Sequence, residues 1–259
     1  MRPDVMTETL TLYYHPYSNC AQRVMLALAE KGLTPQKIKI NLMANEQLSD
    51  HYRAINPKCE VPALVHNNHS ITESCTILSY LEQQFPKVSL TPQQPEQAQL
   101  MTRWLEKAAQ SHEHQVVNFV YANGLGRLPT PEQWRYYEQH VPHRAEFHRK
   151  RRLGKAGSDL QQAKSVLDAQ FEEIECQLSK TAWLAGSEYS LADIAWYPNA
   201  KLLSRLGYDV HPFPYVRQWL RRIEARPAYQ AGIKPEMMPL PNWLLRVALR
   251  LIRRVGGRF

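Results

Sequence analysis

The sequence predicts two domains of different class, an α/β domain followed by an all-helical domain. In the first third of the chain, short apolar runs that alternate like strands are interleaved with segments of helical period. Beyond Pro95, apolar residues recur at helical spacing with almost no β-rich runs. The chain has 259 residues, of which 44% are hydrophobic, and this is enough for two packed cores. We place the domains at residues 8–87 and 95–235, followed by a basic tail at 236–259.

The first domain is predicted to run strand, helix, strand and then strand, strand, helix. The first helix is predicted to stop at Gly32, and a turn is predicted at Asn67-Asn68. This β-α-β, β-β-α order is thioredoxin-like. The predicted elements span residues 10–14, 20–31, 35–40, 61–65, 70–72 and a last helix through 80–84.

The second domain is predicted to be helical throughout. Ser190 and Asp193 have the spacing of a capping box at the start of its most apolar helix, and we interpret them as structural. An insertion at residues 123–159 is polar, basic and aromatic in its second half. The predicted helices span residues 97–122, 160–179, 191–206 and 214–225.

Composition and cysteine spacing argue against several classes of protein. Four cysteines lie far apart without a Cys-x-x-Cys pair, so neither a zinc ribbon nor a disulfide scaffold is predicted. No window reaches the ~18 apolar residues that a membrane-spanning helix needs. Asp4 and Glu8 stand where a secretion signal would be apolar. We therefore expect a cytoplasmic protein.

The excess positive charge lies in the second domain and the tail. Residues 1–90 hold eight basic and eight acidic residues, so the net charge of +8 belongs to residues 91–259. No nucleic-acid-binding motif accompanies the basic residues, and we expect a solvated face or a rim that attracts acidic substrates. His112 and His114 would point about 200° apart on a helix, so no metal site is predicted.

Residues 243–255 place four arginines on one face of a predicted helix and apolar residues on the other. A helix of this length spans ~20 Å and cannot cross a ~30 Å hydrocarbon core. Two interpretations stay open. The helix lies in a membrane interface as a peripheral anchor, or its apolar face packs on its own domain.

Ser18 lies between the first predicted strand and the first predicted helix. Backbone N–H groups at a helix start have no partner within the helix, and the helix dipole favours an anion there. A hydroxyl at this place can donate to a bound thiolate and lower the pKa of that thiol, or it can simply cap the helix. The residues alone leave both roles open.

Two further pairs of residues are candidate contacts for a peptide-like ligand. Pro62 enters an apolar strand, where a cis bond would turn the Val61 backbone outward to pair with the main chain of a ligand. Glu73 and Ser74 precede the last helix of the first domain. The N–H groups of that helix can take a carboxylate while Glu73 takes an ammonium. Ordinary strand entry and helix capping are the alternatives.

Together these segments resemble the glutathione S-transferase superfamily. Trp183-Leu184-Ala185-Gly186, followed by the capping box, is similar to the motif at the family's buried core helix. The N-terminal motif is most similar to serine-type tau and zeta members, and the insertion and tail resemble bacterial ether-cleaving enzymes and ganglioside-induced differentiation-associated proteins. The N-terminal resemblance rests on Ser18-Asn19-Cys20-Ala21-Gln22-Arg23-Val24, Asn56-Pro57-Lys58-Cys59-Glu60-Val61-Pro62-Ala63-Leu64 and Ile71-Thr72-Glu73-Ser74.

The resemblance implies a catalytic serine at Ser18 and a glutathione site around it. Val61 and Pro62 are expected to clamp the cysteinyl backbone of glutathione, and Glu73 and Ser74 to hold its γ-glutamyl end. The pocket for the second substrate is expected to be aromatic. Its candidates, chosen for their place near the expected cleft, are Tyr17, Trp104, Phe119, Tyr121 and Trp196.

Some residues depart from the family pattern. Glu60 stands where many members have lysine or glutamine, so the contact to the glycine carboxylate of glutathione is unassigned. Lys58 and His51 are its candidates. Cys20 is interpreted as a packing residue first and a reactive thiol second.

The predicted function is that of a homodimeric glutathione S-transferase without a metal, in which the thiolate of glutathione attacks a small hydrophobic electrophile. A second hypothesis is a glutathione-fold binding protein or membrane-associated interaction protein without efficient chemistry, motivated by Glu60, the insertion and the tail. A third, an omega-like thiol reductase, is disfavoured because position 18 is serine.

Overall fold

The computed structural model describes residues 9–122, 128–157 and 160–237. The predicted amphipathic helix at 243–255 lies outside the described residues. Within the described ranges, no helix is both long and apolar enough to pass through a membrane.

The described residues form two compact units and contain four strands and eleven α-helices. The first unit contains the predicted strands and helices in the predicted order, and it also contains two helices that were not predicted, one between its second and third strands and one from the returning chain. In chain order the elements are β1 Leu10–Tyr14, α1 Asn19–Glu30, β2 Gln36–Lys39, α2 Asp50–Ile55, β3 Ala63–His66, β4 His69–Thr72, α3 Ser74–Gln84, α4 Pro95–Ser111, α5 Asn118–Ala122, α6 Pro131–His140, α7 Pro142–Gly157, α8 Leu160–Lys180, α9 Leu191–Arg205, α10 Pro214–Glu224 and α11 Pro227–Gly232.

The first unit is built on a four-stranded mixed sheet in the order β2-β1-β3-β4. β1 and β2 are parallel, which requires a crossover, and α1 provides it. β3 pairs antiparallel with both β1 and β4. Asn67 and Asn68 form the tight β3–β4 turn with φ of 47° and 67°, and such hairpin turns need two positive φ angles in succession.

The register of the sheet brings three chain segments to one edge. Tyr13 near the end of β1 lies beside Ala63 at the start of β3, and Ala63 lies beside Thr72 at the end of β4. The segments that follow β1, precede β3 and follow β4 therefore meet. These segments carry the candidate residues around Ser18, Val61 and Glu73.

The chain returns to the first unit after α10. The predicted second domain extends to residue 235, whereas residues 227–237 belong to the first unit. Gly232 packs against Ala29 of α1 so closely that a Cβ at this glycine would lie 2.7 Å from the Ala29 methyl. The Tyr14 hydroxyl donates to Glu236 Oε1 over 2.9 Å, and burial together with this carboxylate raises the pKa of Tyr14 to about 12.

The second unit is a packed set of helices around α9. Trp196 of α9 donates from Nε1 to the Trp104 carbonyl of α4 over 2.8 Å, and the two rings meet edge to face. The predicted single helix at 97–122 is interrupted. The Ser111 hydroxyl donates to the Ala108 carbonyl, which competes with the helical ladder, and a wider π-type turn, His112–Val117, follows.

The basic segment of the insertion forms two helices, α6 and α7. Thr130 and Gln133 close a capping box at the start of α6. His148 of α7 is buried, stacks on Tyr137 of α6 and lies 3.4 Å from the Tyr121 hydroxyl of α5. Tyr137, Val141, Ala145 and His148 of this segment are therefore buried in the second unit.

Candidate active site

Ser18 caps the N-terminus of α1, which begins directly after the loop that follows β1. Its Oγ accepts the Ala21 N–H over 3.2 Å, and its own N–H donates to the His15 carbonyl over 3.0 Å. The side chain remains partly exposed. The serine is thus held rigidly at a helix N-terminus, where the partial positive charge of the helix favours an anion.

Ser18 and Val61 are neighbours. The Val61-Pro62 bond is cis, and the Ser18 hydroxyl donates to the Val61 carbonyl at 3.5 Å, the outer limit of a hydrogen bond. Among the described residues the Val61 N–H has no hydrogen-bond partner. The Val61 main chain is therefore open to a peptide-like ligand, and the Ser18 hydroxyl lies beside it.

The carbonyl of Glu60 is fixed by two side chains. The Tyr52 hydroxyl and the Asn56 amide donate to it over 2.6 and 2.7 Å. Asn56 also accepts the Lys58 N–H over 3.0 Å, so one side chain shapes the whole turn before Val61. Burial raises the pKa of Tyr52 strongly, and this tyrosine therefore stays a donor.

Glu73 occupies the N-cap position of α3 without capping it. Its φ of 65° is unusual for a residue other than glycine, and its side chain makes no bond to the first turn of the helix. The next residue, Ser74, is buried and accepts a hydrogen bond from Arg23 over 3.1 Å. The first turn of α3 therefore lies next to a carboxylate that does not cap it, an arrangement that suits the carboxylate and ammonium of an amino acid ligand.

Arg23 is a functional candidate that the sequence analysis gave no role. Its side chain is 1% exposed, and its guanidinium donates to Ser74 Oγ and, over 3.6 Å, to Cys75 Sγ. The Arg23 side chain connects α1 to the start of α3, so it fixes the positions of these two helices relative to each other. The signal in the sequence is a charged residue surrounded by apolar positions of a helix, which indicates a buried, paired charge.

The two thiols near this arginine are protonated packing groups. Burial raises the pKa of Cys20, against a lowering by Arg23 and by a hydrogen bond with Ser74. Burial also raises the pKa of Cys75, again against Arg23. Because the thiolate is the nucleophile, neither thiol is poised for attack.

Comparison with known proteins identifies the family. Profiles of the glutathione S-transferase N-terminal and C-terminal domains match residues 12–93 and 142–227. Protein LigF of Sphingobium sp. is 31% identical over 235 residues, which cover 85% of this chain and 91% of LigF. The chain belongs to the glutathione S-transferase superfamily. The predicted superfamily, the predicted thioredoxin-like plus all-helical fold and the prediction of a glutathione-dependent enzyme are confirmed, with glutathione as co-substrate.

Solved structures agree with this assignment. The crystal structure of the beta-etherase LigF has a TM-score of 0.76 and 28% identity, and the match covers 88% of this chain and 99% of that one. Maleylacetoacetate isomerase of Mus musculus is 25% identical over 225 residues, covering 85% of this chain and 90% of the isomerase. A glutathione transferase homologue from sulfitobacter, solved with bound glutathione, shares the fold with a TM-score of 0.65 at 22% identity.

The predicted residues of the glutathione site are brought together in the first unit. Lys58 is among them, and its Nζ lies 2.6 Å from the carboxylate of Glu73, the residue predicted to hold the γ-glutamyl end. His51 is exposed on α2. Among the described residues, no cluster of histidine, cysteine and carboxylate side chains is able to hold a metal.

The predicted pocket residues fall into two groups. Trp104 and Trp196 are each 3% exposed and Phe119 is 5% exposed, so these side chains pack in the interior of the second unit. Tyr121 lies against His148. Tyr17, which is 42% exposed and adjacent to Ser18, is the predicted pocket residue in the first unit. The role of these residues in substrate binding stays a prediction.

Proposed function

We propose that this chain is a glutathione transferase in which Ser18 stabilises the thiolate of bound glutathione for attack on a small hydrophobic electrophile. The observation that supports this proposal most directly is the 3.5 Å distance between Ser18 Oγ and the Val61 carbonyl oxygen. A ligand cysteine that pairs with the main chain of Val61 brings its sulfur next to this hydroxyl. The weak bond to the carbonyl leaves the hydroxyl proton available for the sulfur.

The thiolate is favoured by two features of the site. The N-terminus of α1 supplies a positive potential, and the Ser18 hydroxyl donates one hydrogen bond. Both act on the ionised form, so they lower the pKa of the glutathione thiol. Cys20 does not compete, because its thiol is held protonated by burial.

The γ-glutamyl end of glutathione is proposed to bind at the start of α3. Its carboxylate meets the N-terminal N–H groups and the hydroxyl of Ser74, which Arg23 orients. Its ammonium meets the Glu73 carboxylate. The contact to the glycine carboxylate has no assigned residue, because Lys58 is engaged at the opposite end of the site.

Ethers are the electrophiles that we propose to test first. The relative LigF is described as a beta-etherase, and it is similar to this chain over most of both proteins. In such a reaction the thiolate sulfur forms a bond to carbon, the carbon–oxygen bond breaks, and the departing oxygen keeps the electron pair and takes a proton from water. Conjugation with displacement of a halide follows the same course with a different leaving group.

The experiment is a substrate screen with product detection by mass spectrometry. The purified chain is incubated with glutathione and a panel of aryl ethers, aryl halides and activated alkenes. A glutathione thioether that forms faster than in buffer supports the proposal. Binding of glutathione without turnover on any member would contradict it and favour the hypothesis of a non-catalytic binding protein.

Two properties of the assembly are proposed alongside this function. We expect a cytoplasmic homodimer, and light scattering in solution measures its mass. We also expect peripheral membrane contact through residues 243–255, because four arginines share one face there. Sedimentation with anionic vesicles tests this contact, and a variant with glutamine at positions 246, 250, 253 and 254 should stay in solution.

A further inference from the structure

An ion pair occupies the place that the proposed function assigns to the ammonium of glutathione. Lys58 Nζ lies 2.6 Å from Glu73 Oε1. The Glu73 side chain makes no bond to the helix that it precedes, and its carboxylate pairs with Lys58 instead. The lysine thus presents to Glu73 the same group, an alkylammonium, that the ligand carries.

The loop holds Lys58 in this position. Asn56 Oδ1 accepts the Lys58 N–H over 3.0 Å, and the Cys59 N–H donates to the Asn56 carbonyl over 2.9 Å. Cys59 adopts a positive φ of 56°, which closes the turn. The side chain of Lys58 therefore leaves a fixed backbone toward the start of α3.

The pair is weak enough to exchange. The side chains of Lys58 and Glu73 are 53% and 54% exposed. Ion pairs at such exposure contribute little to stability, because water screens both charges. A ligand ammonium can displace the lysine at this small cost, whereas a fully buried pair would close the site.

We propose that Lys58 is an internal competitor for the ammonium subsite and selects ligands that carry an α-carboxylate beside the ammonium. This inference rests on the proposed function. When the ammonium of such a ligand takes Glu73, the displaced Lys58 pairs with the neighbouring carboxylate, and every charge keeps a partner. A ligand that carries the ammonium alone displaces Lys58 and provides no carboxylate with which the lysine can pair. The α-amino acid end of glutathione satisfies both groups.

The test compares two ligands by calorimetry on the full chain. One is glutathione, and the other is 4-aminobutanoyl-Cys-Gly, which keeps the ammonium but lacks the α-carboxylate. The variants are Lys58→Met, which keeps the length of the side chain without its charge, and Lys58→Arg, which keeps the charge. Lys87→Met is the matched control, since Lys87 is an exposed lysine elsewhere in the first unit.

Lys58→Met should bind 4-aminobutanoyl-Cys-Gly more tightly than the wild type does, by up to about fivefold, because the competitor is gone. Its affinity for glutathione should change little, because the competition for Glu73 and the pairing of Lys58 with the ligand carboxylate are lost together. Lys58→Arg and Lys87→Met should keep the wild-type preference for glutathione. Thermal unfolding should show that all three variants are folded.

Three results would overturn the inference, and they are distinguishable. If the wild type binds glutathione and Lys58→Met leaves the ratio of the two affinities unchanged, Lys58 selects nothing and the proposed function stands. If 4-aminobutanoyl-Cys-Gly does not gain affinity in Lys58→Met while glutathione loses it, Lys58 is a simple contact and not a competitor. If the wild type binds no glutathione, the proposed function itself fails and takes this inference with it.

Discussion

Two of the serines that cap helices in this chain differ in what they leave open. Ser190 at the start of α9 is fully buried, and Asp193 closes a reciprocal capping box with it. Ser18 at the start of α1 is partly exposed and accepts a single backbone N–H. α9 therefore has a saturated N-terminus, whereas the N-terminus of α1 keeps hydrogen-bonding capacity for a ligand.

The environment of Asp193 shows what saturation means. Its two oxygens accept four hydrogen bonds, from the Leu184 N–H, the Trp219 indole and both the N–H and the hydroxyl of Ser190. Burial raises the pKa of Asp193 to about 6, while these bonds lower it. At α3, in contrast, Glu73 leaves the helix end uncapped. A helix N-terminus whose N–H groups are all bonded within the protein stabilises the fold and can be called closed. A helix N-terminus that keeps N–H groups for a ligand can be called open, and it offers a binding site.

The largest expected effect is on the closed cap. Asp193→Ala should reduce the free energy of unfolding by about 3–5 kcal/mol, because the buried donors of Leu184, Ser190 and Trp219 lose their acceptor. Chemical denaturation of the purified variant measures the loss. A loss of less than about 1 kcal/mol in the free energy of unfolding would show that the Ser190–Asp193 capping box contributes little to stability.

Ser18→Ala should lower kcat/KM with the best substrate by about 10²–10³-fold, because the thiolate loses its donor. Stability should fall by only about 1 kcal/mol, the usual worth of an N-cap. Ser49→Ala is the matched control, since Ser49 caps α2 with the same 3.2 Å bond to a backbone N–H. If both variants lose activity equally, capping and not the hydroxyl at Ser18 is responsible.

Ser190→Ala should cost about 1–2 kcal/mol of stability and leave the affinity for glutathione unchanged. The loss is smaller than for Asp193, because the carboxylate still holds the Leu184 N–H and the Trp219 indole. Denaturation and calorimetry on the same preparation check both parts. A loss of affinity at full stability would contradict the division between closed and open helix ends.

Glu73→Gln should raise KM for glutathione about five- to tenfold with kcat nearly unchanged, because the amide cannot pair with the ammonium. Stability should stay within about 0.5 kcal/mol of the wild type, since Glu73 caps nothing. Steady-state kinetics over a range of glutathione concentrations separates the two constants. A fall in kcat with KM unchanged would place Glu73 at the reacting sulfur instead of at the γ-glutamyl end.

Local signals predicted the parts of the fold that depend on short segments. The asparagine pair predicted the β3–β4 turn, and the spacing of Ser190 and Asp193 predicted the capping box that the structure contains. Both follow from the chemistry of a few adjacent residues. The proximity of Ser18, Val61 and Glu73 follows from the family resemblance and from the register of the sheet.

Other features depend on contacts between distant segments and were missed. Arg23 bonds Ser74 across 51 positions in the chain, and Glu236 reaches Tyr14 across 222. No periodicity or spacing records such pairs. The interruption of the helix after Ser111 was missed as well. The apolar residues keep their helical period through the wider turn, so the sequence pattern does not reveal it.

The central claim is that the open N-terminus of α1 and the Ser18 hydroxyl ionise the thiol of bound glutathione. The most direct measurement is a pH titration of the ultraviolet thiolate band of glutathione bound to the wild type and to Ser18→Ala, with binding confirmed by calorimetry. The account predicts a thiol pKa well below that of free glutathione in the wild type and a return toward the free value in the variant. Equal thiol pKa values in the two proteins, with glutathione bound to both, would contradict it.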